Sequence, residues 1–361
     1  MFAHALRREE EVPVELESAQ GVDDASVSAF SAVLAREEFR EELDRLSFSR
    51  WRWGARQDLR LRSLKCHEHD RCTFEIALKT PNGWHSVIGK VFVQDRVDVF
   101  EALDGVRRAG FGPEAEFSIP QPYAYLASLR VLLEEKIEGP SAKEMFLTGG
   151  PREQISAAER CARWLARFHA LAPRWGRVVE ISKELSDIRN WTDVLARLEE
   201  PLAGKARLLS RKLIAAAPSL GAVESCAGHG SYIPEHVILA NGRTATIDLD
   251  DYDVGDPTRD VAWFLVGVER VARNHLGSLD ALDAAAGMFL RTYASFGRNE
   301  VLARLPFYMA EQYLHGAKRD ARNKPPGWPN KVGVMLDRGL RALDKGPDQR
   351  AHLADNTVRE P

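Results

Sequence analysis

Apolar and polar residues alternate from residue 59 to 93, and beyond residue 140 the apolar positions change to helical spacing. Three alternating runs predict strands: 59–67 (LRLRSLKCH), 72–79 (CTFEIALK) and 84–93 (WHSVIGKVFV). Thr80-Pro81-Asn82-Gly83 supplies turn chemistry between the last two. Residues 119–127 (IPQPYAYLA) and 130–139 (RVLLEEKIEG) predict two more strands. Ahead of these two, residues 95–110 fit a helix with Val97, Phe100, Leu103 and Val106 inward, ended by Gly110 and Pro113. An earlier helix is predicted over 23–46 from Val27, Phe30, Val33, Leu34, Phe39, Leu43 and Leu46.

After residue 140, helices are predicted over 155–171, once or twice within 186–216, then over 258–275, 279–296, 301–319 and 335–343. His169 falls on the apolar face of the first, a place that fits core packing better than catalysis. Residues 1–24 are charged and aperiodic, and 346–361 read as a flexible tail. The pattern divides the chain into an N-terminal extension with a helix (1–57), a β-rich segment (58–139), a helical segment (140–345) and the tail (346–361). The expected class is α+β, with a five-stranded antiparallel sheet and one helix preceding a larger helical part.

Composition narrows the picture by exclusion. At 361 residues and a net charge of −3, nothing in the whole-chain balance favours nucleic acid. No apolar run is long enough to span a membrane, and the N-terminus turns acidic where an export signal needs apolar residues. Four cysteines (66, 72, 161, 226) in so long a chain do not suggest a disulfide framework, so a reducing cytoplasm is expected. Cys66, His67, His69 and Cys72 admit a zinc reading, but the close Cys pair of a structural zinc site is missing.

Residues 226–265 interrupt the helical pattern and carry the candidate chemistry. Val237-Ile238-Leu239 is a short apolar run, Asn241-Gly242 a hairpin signal, and 244–249 the return strand. That strand is expected to deliver Asp248, Asp250, Asp251 and Asp253 to one mouth. Asp256 and Pro257 predict the start of a helix, as N-cap and first residue. Clustered carboxylates beyond a strand end suit a hard cation such as Mg2+.

This stretch resembles the core of the aminoglycoside phosphotransferase/choline kinase family, relatives of the protein kinases. The frame reads His229-Gly230-Ser231, then His236, then Ile247-Asp248-Leu249-Asp250, then Gly255-Asp256-Pro257-Thr258-Arg259-Asp260. The resemblance spans roughly residues 58–320 and implies a bilobal protein kinase-like fold that uses ATP or GTP with Mg2+, or with Mn2+. It implies Asp248 as the main metal ligand, Asp250 beside it and His236 at a second metal-binding position. His229 and Asp260 take structural places behind the catalytic loop. Lys90, within Val87-Ile88-Gly89-Lys90-Val91-Phe92, resembles the strand lysine that contacts nucleotide phosphates. Glu101 is the expected helix partner of Lys90, with Asp98 and Asp104 as rivals. Arg71 borders the strand connection that covers phosphates in kinases, here without a glycine, and is a candidate phosphate contact. The segment 133–139 resembles the hinge that binds adenine, which places the base near Glu135, Lys136 and Ile137.

Two positions depart from the family. Ser231 stands where the catalytic Asp belongs, and His236 where the metal-binding Asn belongs. An unassisted serine hydroxyl is no base near neutral pH. Phosphoryl transfer draws most of its acceleration from positioning and charge neutralisation, so a slow phosphotransferase acting on a small-molecule hydroxyl is expected. Glu235, His236 and Asp253 are candidate replacement bases. The alternative is a pseudokinase that binds nucleotide or a protein partner without transfer. A third reading, transfer of AMP, has no positive signal. The acceptor is unidentified; the acidic mouth could attract a cation such as an aminoglycoside or choline, in competition with Mg2+.

Overall fold

A computed structural model describes residues 15–17, 24–67, 69–240 and 242–344. Most of the aperiodic N-terminal stretch, the tail from 346, Glu68 and the hairpin residue Asn241 lie outside the described residues. The chain divides into two units, Met1–Asp104 with Pro120–Lys136, and Gly105–Ile119 with Ile137–Pro361.

The first unit contains β1 (Glu15–Glu17), α1 (Asp24–Leu34), α2 (Glu37–Ser49), β2 (Asp58–His67), β3 (Arg71–Thr80), β4 (Gly83–Phe92) and the start of α3 (Val97–Arg108). After the short β5 (Phe117–Ser118), which belongs to the second unit, come β6 (Pro122–Leu126) and β7 (Val131–Glu135). The sheet has six strands in the order β1-β2-β3-β4-β7-β6, one more than expected. The extra edge strand is β1, which pairs parallel with β2. At three residues it is too short to show alternation. The remaining pairings are antiparallel. Period-two burial of Cys72, Phe74, Ile76 and Leu78 on β3 faces Leu34, Phe39 and Leu43 of α1 and α2 in one core. The single helix expected over 23–46 is two helices, because Arg36 takes an extended conformation (φ −65°, ψ 145°) between them.

Cys66 and Cys72 are directly opposite in the β2–β3 register, with Cα atoms 4.0 Å apart, and are joined by a disulfide. The pair occupies two of the ligands a zinc site there would need. Cys161 and Cys226 are buried and unpaired.

The second unit continues with α4 (Ala142–Thr148), α5 (Pro151–Leu171), α6 (Ile181–Leu195), α7 (Leu202–Ala216), β8 (Cys226–Gly228), β9 (Val237–Ala240), β10 (Arg243–Thr246) and β11 (Asp253–Gly255). It ends with α8 (Thr258–Val271), α9 (Asp283–Ala294), α10 (Glu300–Asn323) and α11 (Trp328–Asp344). A capping box, Ser141 with Glu144, starts α4. Stacked rings run through this core: Trp164 on Tyr232 (5.5 Å), Tyr232 on Phe264 (5.5 Å) and Phe264 on Phe289 (4.0 Å). Tyr232 follows Ser231 directly, is fully buried, and donates its hydroxyl to the Cys161 carbonyl at 2.8 Å. It thereby anchors the loop of interest to α5. Among the described residues no helix is long and apolar enough to cross a membrane.

Candidate active site

The loop that carries Ser231 leaves β8, whose partner is β11 across the register Asp253↔Gly228. Its shape depends on Gly230, at φ +79°, where an added Cβ would lie 2.4 Å from the Asp251 carbonyl oxygen. Asp260, buried on the first turn of α8, holds the loop from behind. Its carboxylate accepts from the backbone N–H groups of His229 (2.7 Å) and Gly230 (3.0 Å) and from His169 Nε2 (3.0 Å). Burial alone would raise the Asp260 pKa, but the His169 bond and the neighbouring imidazoles hold it below the usual carboxylate value. Burial lowers the His169 pKa. A neutral His169 suffices, donating from Nε2 and accepting the Tyr293 hydroxyl at Nδ1, 2.7 Å away. His229 is fully buried and donates Nε2 to the Ile247 carbonyl at 3.1 Å.

A single-turn helix at 234–236 then presents His236, and β9 and β10 return the chain to Asp248. His236 Nδ1 donates to the Ser231 carbonyl at 3.0 Å, which leaves Nε2 3.3 Å from Asp248 Oδ2. Asp248 is left-handed (φ 65°, ψ 51°), a conformation Asp tolerates better than most residues. Both imidazoles therefore engage carbonyl groups, and the His236 bond goes to the backbone of Ser231 rather than to its hydroxyl.

The expected acidic mouth is smaller than the run of four aspartates suggested. Asp253 is fully buried, with Oδ1 2.9 Å from Arg259, whose Nε also lies 2.6 Å from Glu184. It is structural, and burial raises its pKa against the pull of Arg259. Asp250 is buried as well, while Asp251 is exposed. Asp256 caps α8 as expected, accepting the Thr258 N–H at 2.9 Å, and its other oxygen takes Arg304 at 2.6 Å.

In the first unit, Lys90 is 4% exposed and its Nζ lies 3.2 Å from Glu134, itself 3% exposed. The expected partner Glu101 is exposed on α3. The register explains the difference: Lys90 faces Leu132 and Ile88 faces Glu134 across β4–β7, so Lys90 and Glu134 are diagonal neighbours. The only sequence signal for Glu134 was a carboxylate inside an apolar run. Arg71 starts β3, with its guanidinium 3.1 Å from Asp70. Glu135 spends its backbone N–H on the Gln121 carbonyl (2.9 Å) and accepts the Gln121 N–H at its side chain (3.0 Å), so that amide is not open to a base. Lys136 lies 2.8 Å from Glu75. Burial would raise the Glu75 carboxyl, yet Lys136 and Arg62 hold it down at about 2. Ile137 begins the second unit.

Among the described residues no group of three or more His, Cys, Asp or Glu side chains could hold a metal ion. The closest approach is the pair His236 and Asp248. Two cis ligands of an octahedral ion stand about 3 Å apart at the bond lengths of Mg2+. The 3.3 Å separation fits such an edge, and the Ser231 carbonyl fixes the tautomer that keeps Nε2 as a ligand. These two residues could serve a divalent ion as partial ligands, short of a set that would hold one alone.

The phosphotransferase enzyme family model matches residues 93–308, more than half of the chain. Among solved structures, a choline/ethanolamine kinase family protein from Mesorhizobium loti superposes with a TM-score of 0.57 at 15% identity, covering 91% of this chain and 98% of its own. A thermostable mutant of aminoglycoside phosphotransferase APH(4)-Ia, in ternary complex with ADP and hygromycin B, superposes with a TM-score of 0.54 at 15% identity, covering 82% and 97%. The GDP complex of wild-type aminoglycoside 2'-phosphotransferase-IIIa gives 0.55 at 11% identity, covering 86% and 99%. These likenesses show the α+β, protein kinase-like fold. No curated protein matches the chain.

Proposed function

This chain belongs to the phosphotransferase enzyme family, and we propose that it transfers the γ-phosphoryl group of ATP or GTP to a hydroxyl of a small molecule. The observation that carries the reading is the His236–Asp248 pair, set by a loop that Asp260 holds through two backbone amides. The ADP and GDP complexes of similar structures support a nucleotide. Asp248 and His236 are the residues that would hold a divalent cation, which when bound neutralises phosphate charge.

In this reading Lys90, positioned by Glu134, binds the nucleotide phosphates. Asp260 and Gly230 keep the loop in register. Ser231 offers the acceptor a hydrogen bond but takes no proton, because a serine hydroxyl stays protonated near neutral pH. The proton leaves to water, and transfer is slow by the worth of one general base, about 10²–10⁴-fold.

The pseudokinase reading rests on the same Ser231. Two measurements separate them: thermal melting with ATP or GTP and Mg2+ or Mn2+, and nucleoside diphosphate release across a panel of hydroxyl acceptors. A metal-dependent melting shift and turnover, both lost in Asp248→Ala, support transfer. A shift without turnover on any acceptor favours the pseudokinase. The absence of both shift and turnover refutes nucleotide chemistry altogether.

A further inference from the structure

An open pocket lies in the second unit, walled by α8 and α10 and floored by the loop that carries Ser231. Its floor is Ile233 and Glu235, two and four residues beyond Ser231. Two glycines let its walls approach closely. A Cβ on Gly267 would stand 2.9 Å from Pro234 of the loop, and one on Gly316 would stand 2.7 Å from Nη1 of Arg270. The backbone of α10 is therefore shaped to admit a guanidinium.

The charges at this pocket are mostly positive. Arg270 and Arg319 line it, and Lys318 and Arg322 stand near enough to act on the His315 ring. Two carboxylates nearby, Asp320 and Glu235, are already shared or engaged. Asp320 lies 3.1 Å from Arg270 and also 3.1 Å from Arg273, so one negative charge serves two guanidiniums. Glu235 lies 3.4 Å from Lys143. The Arg270 Nε is buried with no hydrogen-bond partner. Burial, and next the charge of Arg319, lower the Arg270 pKa to about 10.

A second, independent observation points to a ligand. Gln312 lines the pocket, is 6% exposed, and its buried Oε1 has no hydrogen-bond partner. Leaving a buried amide oxygen unsatisfied is costly unless something docks against it. Trp263 supplies an apolar wall and meets the His315 ring edge-on at 5.1 Å. That imidazole is neutral, so it adds no charge of its own.

We propose that this pocket binds the phosphoryl acceptor and selects an anion, a small alcohol bearing a carboxylate or a phosphate group that Arg270 and Arg319 receive while Gln312 takes a hydroxyl. The assignment of an acceptor rests on the phosphotransferase reading; the preference for an anion rests on the pocket alone. In the reaction the acceptor hydroxyl oxygen forms a bond to the γ-phosphorus of the nucleoside triphosphate. The bond from that phosphorus to the β–γ bridging oxygen breaks, its electron pair leaves with the diphosphate, and the hydroxyl proton passes to water. A cationic acceptor, as the acidic residues around Asp248 suggested, would meet two guanidiniums here instead.

The test is calorimetric titration of the full chain, with ADP and metal present, using D-glycerate and glycerol 3-phosphate as anionic probes, glycerol as the neutral one, and choline and hygromycin B as cationic ones. Saturable binding of at least one anionic probe is expected, weakened about tenfold or more in Arg319→Gln and in Arg270→Gln. Which anionic probe binds tells carboxylate from phosphate recognition. Arg319 is exposed, so Arg319→Gln folds even where loss of the Arg270–Asp320 pair disturbs α8. Binding of choline, hygromycin B or glycerol as tight as that of the anions overturns the proposal. So does the absence of saturable anion binding, or anion binding that neither substitution weakens. Loss of turnover with anion binding intact would count against phosphoryl transfer and leave the pocket's preference standing.

Discussion

The Nε2 atom of His236 lies 3.3 Å from the Asp248 carboxylate while the opposite ring nitrogen donates to the Ser231 carbonyl. A ring locked in that tautomer presents nitrogen, not oxygen, to any ion bound beside Asp248. Nitrogen ligands favour transition metals over Mg2+. Nucleotide-dependent melting shifts should therefore be larger with Mn2+ than with Mg2+ at equal concentration. In His236→Asn the order should reverse or level, since an amide oxygen suits Mg2+. A wild-type preference for Mg2+ would show that His236 is not a ligand.

Ser231 sits at the head of a loop whose other parts are in place. Gly230, Tyr232 and the Asp260 clamp do not depend on the identity of residue 231. Ser231→Asp should therefore fold, and it should raise kcat about 10²-fold with little change in the nucleotide melting shift. Steady-state diphosphate release on any acceptor that gives wild-type turnover measures it. An unchanged or lower kcat would mean that proton transfer is not the missing contribution.

What could be read in the chain beforehand was whatever is local. The β2–β4 meander, the hairpin of β9 and β10, the Asp256 cap and the loop frame all lie within short stretches, where periodicity and turn residues speak directly. Partners set by tertiary register could not be read this way. Lys90 meets Glu134 because β7 lies beside β4, which no spacing reveals. Asp253 looked like a member of an acidic mouth, yet Arg259, only six residues on, turns it into a buried ion pair. His169, Asp260 and Tyr293 form one chain of hydrogen bonds from three distant helices. The pocket at Ile233 and Glu235 draws on α8 and α10, whose facing sides are fixed by packing alone.

The Lys90–Glu134 pair makes a stability prediction that separates it from the helix pairing first expected. Both groups are almost wholly buried, so removing the carboxylate takes a close ion-pair partner from the lysine. Glu134→Ala should destabilise the first unit by about 1.5–3 kcal/mol. Glu101→Ala, on an exposed face of α3, should stay within about 0.5 kcal/mol of wild type. Denaturant unfolding of the two variants decides the matter; equal losses would show that Glu101 shares the lysine.

His315 gives the chain an acid-sensitive element far in sequence from the catalytic loop. Burial, and after it the positive charges of Lys318, Arg319, Arg270 and Arg322, lower its pKa from 6.5 to about 3. The rings of Trp191 (4.7 Å) and Trp263 (5.1 Å) flank it. The folded pKa lies below the unfolded one, so the unfolded chain binds the extra proton in the interval between them. The contribution to stability is complete above pH 6.5 and is lost as pH falls from there toward about 3. One proton corresponds to a slope of about 1.4 kcal/mol per pH unit within that window. His169, also buried and lowered, slopes the same way, so the wild type alone does not isolate either residue. The difference between wild type and His315→Gln does. The variant should lose less stability between pH 6.5 and pH 4.5, by up to one proton's slope, when unfolding is followed in urea across that range. A pH dependence unchanged by the substitution would place the acid sensitivity elsewhere and show His315 to be protonated in the fold.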